Sequence, residues 1–178
     1  MNKRDELKQI LITRSILKGE FTLASGKKSN YYINGKMTTL YSRGLYLTAR
    51  LLLDRLDSIE YDAIAGPVIG ADPIIGAMLT LSASRKENRE GFLIRKESKA
   101  HGTKKIIEGR FKEGSKTIIV EDVVTTGGSL LRAAKAISEA GGIIAGIIVL
   151  VDREEGAEQN IASEGYDLMS VFKVSELL

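Results

Sequence analysis

The sequence predicts an α/β fold, with helices on both faces of a parallel sheet. From residue 61 onward, apolar runs alternate regularly with amphipathic segments of helical length. The apolar runs are continuous, which is typical of strands covered on both faces, and the alternation of strands with helices favours parallel pairing. At 178 residues, the chain is expected to form one domain with a sizeable core.

Each element follows from residue periodicity and from turn residues, in chain order. Apolar residues recur at helical spacing over residues 4–17, which predicts an amphipathic first helix. The segment EFTLASGKKSNYYIN predicts two short extended pieces around a turn at Ser25 and Gly26, and residues 43–57 predict a second helix. The later predicted elements are the strand YDAIAGP, the helix ADPIIGAMLTLSAS, the strands GFLIRK and KTIIVED, the helix SLLRAAKAISEAGG and the strand IIAGIIVLVD.

Composition excludes several classes of protein. The chain has no cysteine, so it can contain neither a disulfide scaffold nor a cysteine-based metal site. The charged start MNKRDELKQ and the lack of a long apolar run argue against a signal peptide and a membrane span, so a cytoplasmic protein is expected. The net charge of +3 fits a nucleic acid and a small polyanionic substrate equally well.

The stretch IIVEDVVTTGGS, residues 118–129, combines two kinds of binding group. A glycine-containing turn that leads into a helix offers backbone N–H groups and a helix dipole to a phosphate, and the two threonines and Ser129 add hydroxyl donors. Glu121 and Asp122 would repel a phosphate, but they can accept hydrogen bonds from vicinal hydroxyls, as an acid does for ribose in dinucleotide sites. A sugar phosphate satisfies both halves at once.

Other nucleotide-binding motifs do not match this region. No lysine follows the glycines at the spacing of a P-loop. The later GGIIAG is not a dinucleotide fingerprint, because it precedes a strand instead of opening a helix. The remaining alternative is a strand that ends in a solvated acidic pair followed by an ordinary turn.

Residues 95–105, RKESKAHGTKK, form a strongly basic segment. They carry five lysine or arginine side chains and the only histidine of the chain, against the single acid Glu97. No helical or strand period organises them, and Gly102 would permit movement. A flexible cationic loop suits a pyrophosphate whose charge grows as it departs, and a solvated basic loop fits the same pattern.

Arg153 lies in VDREEG, directly after a strongly apolar strand. Its guanidinium group could form a forked pair with a carboxylate or an imide edge of a ligand. The alternative is an exposed arginine paired with Glu154 or Glu155.

Together these stretches resemble the type I phosphoribosyltransferases, and within them the orotate phosphoribosyltransferase family. IIVEDVVTTGGS resembles the motif that binds 5-phosphoribosyl 1-pyrophosphate (PRPP), while FTLASGKKSNYYIN, RKESKAHG and VDREEG occur in the order and spacing of the orotate enzymes. GPVIGADPI resembles the corresponding segment in one branch of the orotate enzymes. The resemblance covers nearly the whole chain. It implies a single domain over residues 1–178, with a central parallel sheet flanked by helices and a small hood formed mainly by residues 1–40.

The resemblance also implies roles in PRPP binding and catalysis. Lys99, His101 and Asp122 would be catalytic. Lys99 and His101 would belong to a mobile loop, residues 95–108, and would act in the partner subunit's active site within a homodimer. The residues that would bind PRPP are Arg95, Lys96, Lys99, His101, Glu121, Asp122, Val123, Val124, Thr125, Thr126, Gly127, Gly128 and Ser129.

For the second substrate, the resemblance implies that Thr125 and Arg153 hold orotate, with Arg153 facing its carboxylate, and that Tyr32 and Ile33 pack near its ring. The implied reaction converts orotate and PRPP to orotidine 5′-monophosphate and pyrophosphate, in the biosynthesis of pyrimidine nucleotides. Mg²⁺ would be the cofactor and would be held mainly by the substrate, because it prefers oxygen ligands and keeps few protein ones. The implied partners are these two small molecules and a second subunit, with neither a nucleic acid nor a membrane.

Two positions depart from the pattern of many bacterial members. Ala24 stands where those members have a lysine before Ser-Gly, with Lys27 and Lys28 close by, and Gly70 stands where they have a lysine in the loop after Gly-Pro. The branch with GADP manages without the second lysine.

Two alternatives share parts of the pattern. A purine phosphoribosyltransferase would share residues 118–129 but should lack FTLASG and VDREEG. A non-catalytic regulator that binds nucleic acid would keep the sugar-phosphate pocket but would need no loop with Lys99 and His101, and the chain has no spare length for an added DNA-binding segment.

Overall fold

The computed structural model describes residues 2–22, 28–96 and 106–178. In this part of the chain, a six-stranded sheet forms the centre and a two-stranded hairpin stands apart from it. The helices are α1 (Lys3–Arg14), α2 (Lys36–Thr39), α3 (Ser42–Leu56), α4 (Asp72–Ser84), α5 (Gly128–Glu139) and α6 (Ala157–Ser163), followed by a 3₁₀ turn at Val174–Glu176. The strands are β1 (Ile16–Thr22), β2 (Lys28–Ile33), β3 (Ala63–Pro67), β4 (Glu90–Ile94), β5 (Ile107–Glu108), β6 (Lys116–Val124), β7 (Ile143–Asp152) and β8 (Leu168–Lys173).

The central sheet has the strand order β5-β4-β3-β6-β7-β8. Every neighbouring pair is parallel except β4 with the short β5. The predicted α/β fold with a parallel sheet is therefore confirmed. From β3 the chain proceeds outward to β4, and from β6 it proceeds in the other direction to β7 and β8. The order reverses between β3 and β6, and ligands bind at such a switch point in open α/β sheets.

Both faces of the sheet are buried, as the continuous apolar strands predict. On β7, Ile148 and Leu150 join one core, while Ile147 and Val149 join the other, since successive side chains of a strand point to opposite faces. The first core includes residues of α1, α3 and α4. The second includes residues of α5 and α6.

The first helix is shorter than its periodicity predicts. Asn2 caps its start by accepting a 2.8 Å hydrogen bond from the backbone N–H of Asp5. The helix ends at Arg14 and the chain enters β1 at Ile16, so the prediction of a helix to residue 17 was wrong by three residues. Strand pairing decides the end of this helix, because Leu17 lies opposite Tyr32 in the hairpin.

The hairpin and the last elements complete the fold. β1 and β2 are the two extended pieces predicted on either side of Ser25 and Gly26, and those two turn residues lie outside the described part of the chain. The sequence did not predict α2, β5, α6 or β8, and of these β5 and β8 are the two edge strands of the central sheet. Among the residues that the structure describes, no helix is long and apolar enough to cross a membrane.

Candidate active site

A cleft of about 1410 Å³ opens at the carboxyl ends of the parallel strands. Its walls come from the segments that follow β3, β4, β6 and β7, from the first turns of α4 and α5, and from the start of α2. Since the sequence places its unusual polar stretches directly after β4, β6 and β7, the fold brings them to one edge. The charged residues that line the cleft are Lys36, Asp72, Arg95, Lys96, Glu108, Glu121, Asp122, Arg132 and Arg153.

Glu121 lies near the end of β6 and accepts a 2.7 Å hydrogen bond from the hydroxyl of Ser129 at Oε2. Burial raises the pKa of the Glu121 carboxyl from 4.5 to about 7, and the hydrogen bond from Ser129 opposes that rise. The neighbouring Asp122 charge raises this pKa further, while Arg132 and Lys36 lower it. This acid therefore titrates near neutrality and can accept a hydrogen bond from a ligand hydroxyl when it is ionised.

Asp122, the next residue, is almost fully buried. Its Oδ1 accepts a 2.9 Å hydrogen bond from the backbone N–H of Val123, and its Oδ2 lies 4.0 Å from Nζ of Lys36. Burial raises the pKa of the Asp122 carboxyl above its ordinary value, and the positive charge of Lys36 is the largest effect that opposes it. The backbone contact fixes the direction of the carboxylate.

Two glycines enclose the Asp122 carboxylate. A Cβ atom added at Gly35 would lie 2.6 Å from Oδ2, and one added at Gly70 would lie 2.5 Å from Oδ1. Real Cβ atoms do not approach this closely, so a side chain at either position would displace the carboxylate. The lysine that many bacterial members carry at the position of Gly70 therefore has no room beside Asp122 in this chain.

The turn between β6 and α5 has the geometry of a phosphate cradle. Gly127 has a φ of 84°, a left-handed conformation that glycine adopts without strain, and α5 begins at the next residue. The side-chain amide of Asn160 donates a 2.9 Å hydrogen bond to the carbonyl of Thr126, which ties the turn to α6. Thr125 and Thr126 are exposed. The N–H groups in the first turn of α5 lack intrahelical acceptors and are available to an anion.

Arg153 follows β7 and is buried, with 6% of its surface exposed. Its Nη2 lies 2.7 Å from Oε1 of Glu155, and its guanidinium carbon lies 5.2 Å from the centre of the Tyr31 ring. Within the described part of the chain, neither Nε nor Nη2 makes a hydrogen bond of good geometry. A buried guanidinium group with unsatisfied N–H groups, at the wall of a cleft, is suited to an anionic ligand. The alternative that the sequence left open is wrong in its exposure but right in its partner, since Arg153 is buried and pairs with Glu155.

The hood contributes Ile33 and Tyr31 to the surroundings of the cleft, whereas Tyr32 lies away from it. Ile33 is buried and lines the cleft, and Tyr31 contacts Arg153. Tyr32 is 41% exposed, and the centre of its ring lies 5.7 Å from that of Phe21. The alternation of side chains along β2 places Tyr31 and Tyr32 on opposite faces of the hairpin.

The basic segment after β4 is described only at its ends. Arg95 and Lys96 line the cleft. Nη1 of Arg95 lies 3.7 Å from Oε1 of Glu108, and its Nε is buried without a hydrogen bond to any described residue. Lys99 and His101 lie outside the described residues.

Several residues of the cleft were not predicted from the sequence. Those with a charge or next to the acidic pair are Gly35, Lys36, Asp72 and Arg132. Asp72 opens α4, and its Oδ1 is buried without a hydrogen bond among the described residues. Only the alignment of GADP with a family branch pointed toward Asp72, and nothing in the local pattern distinguished Lys36 or Arg132 from ordinary surface cations.

The side chains of the cleft are compatible with Mg²⁺ bound through a ligand. In residues 2–22, 28–96 and 106–178, no cluster of three or more His, Cys, Asp or Glu side chains could hold a metal ion. The cleft nevertheless presents separate carboxylates, including the unsatisfied Oδ1 of Asp72. Magnesium accepts one or two carboxylates and completes its coordination with water and substrate phosphates, so these residues fit it as supporting ligands.

Fold and site together define a phosphoribosyltransferase. Residues 47–167 match the model of the phosphoribosyl transferase domain, which covers more than half of the chain. The chain therefore belongs to the phosphoribosyltransferase family, and orotate phosphoribosyltransferases are among the relatives that match it over nearly their full length. It is 44% identical over 180 residues to the orotate phosphoribosyltransferase of Pyrococcus horikoshii, with 99% of this chain and 94% of that protein aligned.

Solved structures agree with this relationship. The orotate phosphoribosyltransferase of Mycobacterium tuberculosis H37Rv, in complex with Fe(III) dicitrate, matches with a TM-score of 0.87 and 34% identity, over 99% of both chains. The same enzyme in complex with PRPP matches with a TM-score of 0.83 and 31% identity, again over 99% of both chains.

Proposed function

We propose that this protein transfers the phosphoribosyl group of PRPP to orotate, giving orotidine 5′-monophosphate and pyrophosphate in pyrimidine nucleotide biosynthesis. The observation that carries the proposal is the meeting, in one cleft, of an acidic pair, a phosphate-binding turn and a buried arginine. Full-length relatives named orotate phosphoribosyltransferase support the choice of orotate.

The phosphoribosyl end of PRPP fits the stretch from Glu121 to Ser129. The turn and the first N–H groups of α5 would bind the 5′-phosphate, with the hydroxyls of Thr125 and Thr126 as further donors. Glu121 and Asp122 would accept hydrogen bonds from the two ribose hydroxyls. In the free protein, the Ser129 hydroxyl already donates to Glu121, as a ribose hydroxyl would in the complex.

The base end fits the wall formed by Arg153 and the hood. Nε of Arg153, which has no hydrogen-bond partner among the described residues, would donate to the orotate carboxylate, and Nη2 would do the same in exchange for its ion pair with Glu155. Ile33 supplies apolar surface for the ring, and Tyr31 packs against the guanidinium group. Thr125, which also lines the cleft, would donate to a polar edge of orotate. Tyr32 was expected near the ring from the resemblance, but its exposed position favours Tyr31 for that role.

The transfer breaks the bond between C1 of the ribose and the pyrophosphate oxygen, and it forms a bond from C1 to a ring nitrogen of orotate. The bonding electrons leave with pyrophosphate. Orotate itself is the nucleophile through this ring nitrogen, whose N–H proton passes to solvent as the bond forms, so no protein nucleophile is required. Positive charge develops on the ribose while negative charge grows on pyrophosphate, and Arg95 and Lys96, which line the cleft, would stabilise the leaving group. Catalysis then depends mostly on positioning and on charge stabilisation.

We propose Mg²⁺ as the cofactor, held chiefly through PRPP. When bound, it would neutralise part of the pyrophosphate charge. The residues that would support it are the cleft carboxylates, Asp72 and Asp122 among them. A cytoplasmic location is part of the same proposal.

A homodimer with shared active sites is the proposed assembly. Its support is the family resemblance of RKESKAHG, by which Lys99 and His101 would act in the neighbouring subunit's site. The described surface offers a candidate contact for a second subunit, because large apolar and aromatic side chains within one short segment are solvent-exposed. They are Met37, Leu40, Tyr41 and Tyr46, with Leu40 exposed by 74%.

An absorbance assay with purified protein, Mg²⁺ and PRPP tests which base the protein uses as its substrate. Orotate absorbance should fall only when all components are present, and adenine or another purine in place of orotate should not be consumed. Purine consumption without loss of orotate would replace this proposal with the purine alternative. Binding of PRPP without turnover of either base would favour a non-catalytic regulator.

A further inference from the structure

Lys36 lies at a place in the cleft where it forms an ion pair with one particular acid. It opens α2, directly after Gly35, and its Nζ lies 4.0 Å from Oδ2 of Asp122. The Lys36 side chain is 48% exposed, whereas that of Asp122 is 8% exposed. The lysine therefore reaches from the solvent side of the cleft to an acid that is otherwise enclosed.

Because Asp122 is enclosed, few charged groups can approach its carboxylate. Gly35 closes the side of Oδ2 and Gly70 closes the side of Oδ1, with room for a Cβ atom at neither position. The backbone N–H of Val123 holds Oδ1. An ionised carboxylate in such a confined place requires compensation of its charge, because burial disfavours the charged form, and Lys36 is the cation that contacts it.

The other charged groups of the cleft do not provide the same contact. Glu121 lies beside Asp122 in the chain and adds negative charge. Among the described residues, the only ion pair that Asp122 forms is with Lys36. The remaining charged groups that face this space are Asp72 from α4, Arg95, Lys96 and Glu108 from the β4 and β5 region, Arg132 from α5 and Arg153 after β7.

We propose that Lys36 is a positioning residue of the active site, whose ammonium group pairs with the enclosed Asp122 carboxylate and holds it where the ribose hydroxyls of PRPP can reach it. This role rests on the proposed transfer reaction and adds to it a residue that acts through Asp122. The start of α2 thereby couples the hood to the centre of the sheet.

A double-mutant cycle tests whether Lys36 acts through Asp122. Equilibrium binding of PRPP is measured for wild type, Lys36→Met, Asp122→Asn and the double variant. In the wild-type background, Lys36→Met should weaken binding by about two- to fivefold, the range of a half-exposed ion pair. In the Asp122→Asn background, it should change binding by less than about twofold, because the partner charge is gone.

Two control variants separate the effect of this contact on PRPP binding from the effect of the protein's net charge. Lys36→Arg keeps a cation at the position and should retain most of the affinity. Lys18→Met removes a positive charge from the exposed side of the hood hairpin, and it should leave PRPP binding at the wild-type value. An equal loss for Lys36→Met in both backgrounds, or an equal loss for Lys18→Met, would overturn the proposal.

Rescue by the conservative variant gives a readout that a merely structural role would not move, because Lys36→Arg restores the positive charge beside Asp122 while it changes the shape of the side chain. Affinity for PRPP that is no better in Lys36→Arg than in Lys36→Met refutes the role of Lys36. The double-mutant cycle measures PRPP binding in the absence of orotate, so it does not depend on the transfer reaction. Failure of the wild-type protein to consume orotate would therefore refute the proposed reaction and not the role of Lys36.

Discussion

Ser129 donates a 2.7 Å hydrogen bond from its hydroxyl to Oε2 of Glu121. The contact joins the first turn of α5 to the end of β6, so the phosphate-binding turn and the acid beside it have a fixed separation. The two ends of a sugar phosphate require such a fixed distance, because its phosphate and its vicinal hydroxyls cannot move independently. This geometry is the basis of the predictions about PRPP.

Replacing either acid should damage PRPP binding more than orotate binding. In Glu121→Gln and Asp122→Asn, the ribose hydroxyls lose a charged acceptor, and a hydrogen bond to a charged group contributes about 1.5 to 3 kcal/mol. Calorimetric titration with each substrate separately would measure the difference. Glu113→Gln, which removes an exposed acid outside the cleft, serves as the matched control. Wild-type affinity for PRPP in both cleft variants would reject the assignment.

Glu121 should also make the stability of the fold depend on pH. Its folded-state pKa of about 7 lies above the ordinary value of 4.5, so the folded state binds the proton more tightly than the unfolded state. The stabilisation is complete below pH 4.5 and is lost as the pH rises through 7. The free energy of unfolding of wild type, relative to that of Glu121→Gln, should therefore decrease over this interval. Denaturant titrations across the range measure it, and parallel pH dependences for the two proteins would contradict a raised pKa.

Arg153→Ala should chiefly damage the recognition of orotate. The substrate carboxylate would lose its charged partner in a partly enclosed site, at a cost of about 2 to 5 kcal/mol. The kinetic signature is a large fall in kcat/KM for orotate with little change in PRPP affinity. Arg153→Lys should restore only part of the loss, since an ammonium group cannot form the forked pair. The exposed Arg110 provides the matched control, as Arg110→Ala should leave both substrates unaffected. Normal orotate kinetics in Arg153→Ala would remove Arg153 from the site.

A methyl group at position 70 should disturb Asp122 directly. The Cβ atom of Gly70→Ala would lie 2.5 Å from Oδ1, and such overpacking typically costs about 1 to 3 kcal/mol. We expect a corresponding loss of PRPP affinity. Gly76→Ala, in the same loop-and-helix unit, has no neighbouring atom within 4 Å of the added Cβ. It should keep wild-type binding and gain about 0.5 to 1 kcal/mol of stability from its helical position. Equal PRPP affinities for Gly70→Ala and Gly76→Ala would show that the Asp122 carboxylate is not confined.

The shared-site dimer predicts recovery of activity in mixed subunits. Lys99→Ala and Asp122→Asn chains should each be inactive alone, and subunit exchange should produce dimers in which one site carries both defects and the other carries neither. Activity should then approach one working site per mixed dimer. If Lys99 acts within its own chain, every site keeps one defect. Inactivity after proven exchange would therefore reject the sharing of sites while leaving the transfer reaction in place.

The sequence predicts the centre of this fold well, because burial and binding leave local signals there. The continuous apolar run of β7 and the sequence from Glu121 to Ser129 both indicate their structures from neighbouring residues alone. The end of α1 was missed because Leu17 satisfies a helical period but pairs with Tyr32 across the hairpin, and pairing between strands is not local.

The same limit explains the missed site residues. Lys36 and Gly35 are distant in sequence from Asp122, and only the folded chain brings them to it. Tyr31 and Tyr32 are identical in type and adjacent in sequence. Which of them faces Arg153 depends on the register of β2, which no residue near them specifies. The role of Lys99 remains a prediction, since that residue lies outside the described part of the chain.

Product analysis tests the central claim most directly. Purified protein is incubated with orotate, PRPP and Mg²⁺, and the products are separated and quantified. The account predicts orotidine 5′-monophosphate and pyrophosphate in equal amounts, with neither formed when orotate is omitted. Pyrophosphate release without orotidine 5′-monophosphate, or orotate left intact while another base is ribosylated, would contradict it.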